Sequence, residues 1–266
     1  MRFGCCTNML NEEGDGIALT LLPAIAKLGY DYLELPLYMV MEKSDEEFET
    51  LKNIMAGLGI RCETCNIFVP GIYRLTGANI QHEAALDYVD RSLARAKSMG
   101  VECVVFGSGG ARNVPAGFPR EQAVEQLVDF MKAMAPIAEK YGITIAVEPL
   151  RPQDCNVINS FVEGCRMIET VGSPYVKMLI DLYHMAGAQE PMEHLLALGK
   201  ENLAHVHIAN PITRYYPDRI DEADYKSFFD VLCAIGYDGR ISCEAWAPNG
   251  EKDLENALAF LKRNCR

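Results

Sequence analysis

Four residues of types that bind metal ions or move protons each stand at the end of an apolar run. Glu148 closes "ITIAVE", Asp181 closes "YVKMLID", His207 ends "LAHVH" and Glu244 closes "RISCE". Such runs read as strands buried on both faces, and Pro149 stops the first of them from continuing its ladder. Three carboxylates gathered in a poorly hydrated place repel one another. They must take up protons or share a cation. Three oxygen ligands and one imidazole suit a divalent ion such as Mn²⁺, Mg²⁺, Co²⁺ or Zn²⁺. A single strand-end carboxylate often just caps a helix or pairs with an arginine. The set of four on consecutive strands is what points to one shared site.

These residues need a frame that brings strand ends together. A helix-like segment ending in Gly, followed by a short β-rich run, recurs along the chain. It appears at Gly29, Gly59, Gly100, Gly142, Gly172, Gly199 and Gly236. Gly just past a helix end is the usual left-handed cap. With "RFGCC" at the start, this gives eight strand candidates, spaced by roughly 30 to 40 residues, enough for a crossover helix in each gap. Ser44 with Glu47, and Ser160 with Glu163, have capping-box spacing. Residues 81–100 carry the three- and four-residue spacing of an amphipathic helix. The expectation is an α/β fold, a (β/α)₈ TIM barrel in one domain over residues 1–266. A doubly wound open sheet would carry a Gly-rich phosphate turn after its first strand, and "CCTNMLNEEGDG" has no GxGxxG. In a barrel, active sites lie at the C-terminal strand ends, where all four residues fall.

Composition narrows the class. Hydrophobic residues make up 49% of the chain, enough for a large core, and the net charge of −12 argues against a nucleic-acid backbone as ligand. No run of about 18 apolar residues suggests a membrane span. The opening "MRFGCC" does not read as a secretory signal, and ten cysteines without a disulfide pattern suit a reducing compartment. The expectation is a cytoplasmic protein. Cys5, Cys103, Cys233 and Cys243 read as small buried hydrophobes. Cys62 and Cys65 have CxxC spacing, but no second pair completes a zinc site.

Other polar residues compete for the site. Asn66 ends the third strand and is a candidate substrate contact. His205 lies two before His207 and one layer deeper, as a satisfied core histidine. His184, three after Asp181, can reach the mouth and donate to a substrate oxygen. His82 and His194 read as surface residues. Trp246 either walls the pocket or packs. The turn "GSGGARNVPAG" offers backbone amides to an anion, with Arg112 the nearby charge.

The segments "VEPLRPQDCNVINS", "LIDLYHM", "HVHIANP" and "IGYDGRISCEAW" resemble the sugar isomerase/epimerase group of xylose isomerase-like TIM barrels. The D-tagatose 3-epimerase and L-ribulose 3-epimerase branch is most similar. The resemblance implies that Glu148, Asp181, His207 and Glu244 bind the metal, that Glu148 and Glu244 form the acid/base pair, and that His184 contacts the sugar. It places a further substrate carboxylate at Asp154, where Glu is more usual. It places a sugar-binding Arg at Thr213, and Arg214 follows directly. Relatives often form dimers or tetramers. The implied reaction is inversion at C3 of a free or phosphorylated ketose through an enediolate. An aldose–ketose or hydroxypyruvate isomerase and an inosose-type dehydratase use the same kind of site. An endonuclease IV-like repair enzyme needs more histidines than the five present. A sugar-binding barrel without activity would have no need of the whole ligand set.

Overall fold

The computed structural model describes residues 1–10 and 16–265. Eight strands, β1 (Arg2–Cys6), β2 (Tyr32–Pro36), β3 (Cys62–Asn66), β4 (Cys103–Phe106), β5 (Thr144–Val147), β6 (Val176–Asp181), β7 (Leu203–Ile208) and β8 (Arg240–Cys243), pair in parallel. They close in sequence order, with β1 against β8. This is the expected (β/α)₈ barrel. Among the described residues, no helix is long and apolar enough to cross a membrane.

The glycine theme is largely realised. Gly29, Gly59, Gly100, Gly142 and Gly172 each cap a helix in the left-handed conformation. Gly199 does not: the helix Met192–Asn202 runs through it, and the chain enters β7 directly. A Cβ there would stand 2.7 Å from Ile235, so that glycine serves close packing. Ser44 and Glu47 form the full capping box. Ser160 caps Glu163, but the Glu163 carboxylate reaches back one residue further, to the amide of Asn159. The amphipathic stretch forms the helix His82–Met99. Cys233 is exposed, against the expectation that it lies buried. His82 is part-buried, bonding the Leu75 carbonyl and packing on Phe130.

Strand alternation divides the interior into two layers. Leu33, Leu35, Val104, Phe106, Val206 and Ile208 face the helices in the main core. Their neighbours face the barrel axis. On the β4–β6 side these form a small apolar cluster of Cys103, Val105, Ala146 and Leu179. On the other side they are polar and wholly buried: Glu34, Thr64, His205, His207 and Ser242. Arg2 and Arg240 close the floor on the buried Glu63 carboxylate at 2.6 and 2.7 Å. The Tyr32 ring fills the space above, against Gly4, where a Cβ would come within 2.2 Å of the ring. Gly4→Ala should therefore cost about 1–3 kcal/mol by overpacking. Urea denaturation measures this, and an unchanged midpoint would mean the ring moves aside freely.

Candidate active site

The four strand-end residues meet. Glu148 directly follows β5, Asp181 ends β6, His207 lies in β7 and Glu244 directly follows β8. One ligand atom from each lies within 4.8 Å of the others, and all four residues are buried. His207 Nδ1 stands 3.4 Å from Glu148 Oε1 and 3.6 Å from Glu244 Oε2. Asp181 spends its other oxygen, Oδ1, on the amide of Tyr183 and so starts the helix Leu182–Gly187. Among the described residues, Glu148 Oε1, Asp181 Oδ2 and His207 Nδ1 are buried without a hydrogen-bond partner. Orphaned acceptors are rare in folded proteins. Several of them turned towards one point fit a divalent cation, and the mixed O₃N donor set agrees.

The supports differ for each group. Glu244 Oε1 accepts from Asn66 Nδ2 at 2.8 Å and Asn8 Nδ2 at 3.4 Å, and Oε2 accepts from Arg214 Nη2 at 2.9 Å. Glu148 relies on backbone placement. Arg112, wholly buried and without a carboxylate partner among the described residues, donates to the carbonyls of Phe106 at 3.0 Å and Glu148 at 2.6 Å. It staples the ends of β4 and β5 together. Gly107 leaves room for the carboxylate, since a Cβ there would sit 2.3 Å from Glu148 Oε2. His207 Nε2 donates to Glu34 Oε1 at 2.8 Å, so its proton points inward and Nδ1 points at the carboxylates. His205 also reaches Glu34 through Nε2, as a core histidine should, though its Nδ1 is buried without a partner among the described residues.

Electrostatics follow from this packing. Burial pushes Glu34 up, but His207 and His205 outweigh it and hold its carboxyl well below the usual range. Burial works against the His207 cation, yet Glu34, Cys6 and Glu244 leave its pKa well above the ordinary value. Burial likewise opposes the Glu244 carboxylate, but His207 and Arg214 bring it down to about 2. Asp181 moves up, through burial and then the neighbouring Glu148 and Glu244 charges, with His184 opposing. The site is therefore overloaded with negative charge in its ion-free form.

The mouth above is a cleft of about 380 Å³ whose lining includes Asn66, Glu148, Asp154, His184, Arg214 and Glu244. His184 is buried, with Nε2 3.7 Å from Asp181 Oδ2 and Nδ1 3.6 Å from Asp154 Oδ2. Asp154 pairs with Arg151 at 2.7 Å. Arg214, in the left-handed region at φ 57°, lays its guanidinium 4.7 Å over the Tyr183 ring. Trp246 stands on the rim, half-exposed and outside the cleft lining. Its amide bonds the Arg214 carbonyl, so it fixes the backbone of that loop. A larger groove of about 640 Å³ lies elsewhere, beside the helix Phe161–Val171, and includes none of these groups. Three residues that support the site, Glu34, Asn8 and Arg112, are not assigned to it by the sequence patterns above. Glu34 carried the same signal as the other four. Arg112 carried none, because its partners are backbone carbonyls.

A pH dependence follows for chelator-stripped protein. The folded pKa of His207 lies above its unfolded value of about 6.5, so its contribution is complete below that pH and is lost as pH rises through the folded value. The depressed Glu34 contributes above its unfolded value and loses that contribution only as pH falls through its folded one. The urea midpoint of stripped protein should therefore fall as pH rises above about 6.5. Divalent ions, which need Nδ1 unprotonated, should bind more tightly over the same interval and release protons. A flat stability profile together with pH-independent ion binding would contradict this electrostatic account.

Known proteins share this arrangement of elements. The chain is similar to D-psicose 3-epimerase of Agrobacterium fabrum, with 24% identity over 90% of each chain. It is similar to 2-oxo-tetronate isomerase of Haemophilus influenzae, with 26% identity over 86% of this chain and 87% of that one. A crystal structure of D-psicose 3-epimerase in the presence of D-fructose superposes with a TM-score of 0.89 at 20% identity, covering 100% of this chain and 99% of the other. The pattern of one protein family runs over residues 22–264, nearly the whole barrel. The chain belongs to the xylose isomerase-like TIM barrel family.

Proposed function

We propose that this protein is an isomerase, a divalent-metal-dependent ketose 3-epimerase, with Glu148 and Glu244 as its acid/base pair. The observation that carries the reading is that these two carboxylates flank the same imidazole nitrogen, at 3.4 and 3.6 Å, from strands three places apart around the barrel. The similarity to D-psicose 3-epimerase over 90% of the chain supports the reaction class. Glu148, Asp181, His207 and Glu244 would hold the ion, and three hard oxygens with one nitrogen favour Mn²⁺. When bound, a divalent ion polarises a carbonyl and stabilises negative charge on an enediolate, worth several kcal/mol.

The protein's own residues do the rest. One carboxylate removes the C3 proton next to the ketose carbonyl, leaving its electron pair in the enediolate. The other delivers a proton to C3 from the opposite face, so configuration inverts. The reverse reaction exchanges the two roles. Asn66 and Arg214 keep Glu244 oriented, while Arg112 and Gly107 set Glu148 through backbone and space. His184 and Asp154 line the cleft where sugar hydroxyls would lie.

Charge favours a free sugar over a phosphorylated one or an oxo-acid. Among the described residues lining the cleft, no lysine appears, and Arg214 is already paired with Glu244. Residues 11–15, Asn-Glu-Glu-Gly-Asp, contain no basic residue. A divalent ion and Arg214 balance the three carboxylates and leave nothing to neutralise an anion. The presence of all ten cysteines as thiols supports a cytoplasmic location.

The test offers Mn²⁺-loaded protein a panel of free and phosphorylated ketoses and hydroxypyruvate in D₂O, with a chelator control, and follows deuterium by NMR. Label should enter C3 of a free ketose. Label at C1 or C2 alone would make the protein an aldose–ketose isomerase instead. Glu148→Gln and Glu244→Gln should each lower kcat about 10²- to 10⁴-fold with the fold retained. Full activity in either metal-loaded variant would end the two-carboxylate scheme.

A further inference from the structure

Glu34 lies one layer below the four strand-end groups and is wholly buried. Its carboxylate is saturated with donors. Oε2 accepts from Ser242 Oγ at 2.6 Å, Thr64 Oγ1 at 2.7 Å and His205 Nε2 at 2.8 Å. Oε1 accepts from His207 Nε2 at 2.8 Å. Ser242 is held in turn by the Tyr32 hydroxyl at 2.8 Å. These residues come from β2, β3, β7 and β8, so half the barrel's strands converge on one anion.

A buried carboxylate with four donors is an expensive device if its only task is packing, since apolar residues of similar size would serve stability as well. Its placement has one consequence that packing does not need. In the neutral ring the bond to Nε2 leaves the lone pair on Nδ1, the nitrogen that faces Glu148 and Glu244 and has no hydrogen-bond partner among the described residues. Carboxylates that hold the far nitrogen of an imidazole fix its tautomer and raise its basicity towards a metal.

We infer that Glu34 is a positioning residue for the metal centre: it locks His207 with Nε2–H inward and Nδ1 towards the cleft, and thereby sets how tightly the centre holds its ion. This rests on the metal reading above. Ser242, Thr64 and His205 keep Glu34 itself from turning, so the lock is set by the barrel interior and not by any loop of the mouth.

Glu34→Gln tests it with little change of volume. A glutamine offers one accepting oxygen where four donors converge, and its NH₂ then opposes at least one N–H or O–H. The whole chain, labelled with ¹⁵N-histidine, is stripped with chelator and reloaded with Zn²⁺. Only five histidines need assignment. Loaded wild type should show His207 metallated at Nδ1 and protonated at Nε2. Glu34→Gln should keep its circular dichroism spectrum, weaken Zn²⁺ binding about 10- to 100-fold in equilibrium dialysis and shift the His207 Nε2 resonance. Zn²⁺ on Nε2 of wild type overturns the inference. So does variant affinity within about twofold of wild type, well short of the loss expected of such a partner. If wild type takes up no ion, the metal reading and this inference fall together. If wild type binds and the variant is unaffected, this inference alone falls. Should Glu34→Gln not fold, the wild-type nitrogen assignment decides by itself.

Discussion

Negative charge under burial is the constraint around which this barrel is arranged. Glu34, Glu148, Asp181 and Glu244 sit within two adjacent layers of the interior, all shielded from water. Each such group is costly unless it is paired or bonded, and the protein treats them unequally. Glu34 receives four donors and is complete. Glu244 receives two amides and a guanidinium. Asp181 uses one oxygen on the Tyr183 amide, and among the described residues its other oxygen and the buried Oε1 of Glu148 have no hydrogen-bond partner. The lower layer is closed and the upper one is open, which is the difference between a scaffold and a site that takes a ligand.

His207 joins the layers. One of its nitrogens belongs to the satisfied network and the other to the unsatisfied set. Its place in β7 makes this possible, because residues two apart on a strand share a face and stack by layer. His205 occupies the lower layer entirely. The same alternation puts Val206 and Ile208 into the core against the helices. A shift of β7 by one residue would bury the histidines among aliphatic side chains and send the valine into the charged interior.

The two carboxylates flanking His207 are also held by different means. Glu244 is oriented through its side chain, by partners at the ends of β1 and β3 and in the loop after β7. Glu148 is oriented through its main chain, by the buried Arg112, with its carboxylate in the space that Gly107 leaves. Two carboxylates set by different partners on either side of a small cleft suit proton transfer between two faces of a bound molecule.

Much of this was present in the chain as pattern. The eightfold alternation of glycine-ended helices with short apolar runs specified a barrel, because local caps and strand runs need no distant partner to be recognised. A strand-end position in a parallel barrel fixes which face of the molecule a residue joins, so Glu148, Asp181, His207 and Glu244 could be grouped before any coordinate was known. Gly199 shows where local rules lose: its packing against Ile235 carries the helix past it. Depth, orientation and partnership came only with tertiary structure. The sequence marks Glu34 as one more strand-end acid. Only closure of the barrel brings residues 34, 64, 205, 207 and 242 to one point and turns it into the inner partner of His207. Arg112 lies in a glycine-rich turn, and only the fold reveals that its charge is wholly buried against two carbonyls. Trp246 looked equally fit for wall or packing, and the course of the loop after β8 put it on the rim. Spacing along a chain determines which face a residue joins, whereas hydrogen-bond partners are chosen by through-space distances that no local pattern encodes.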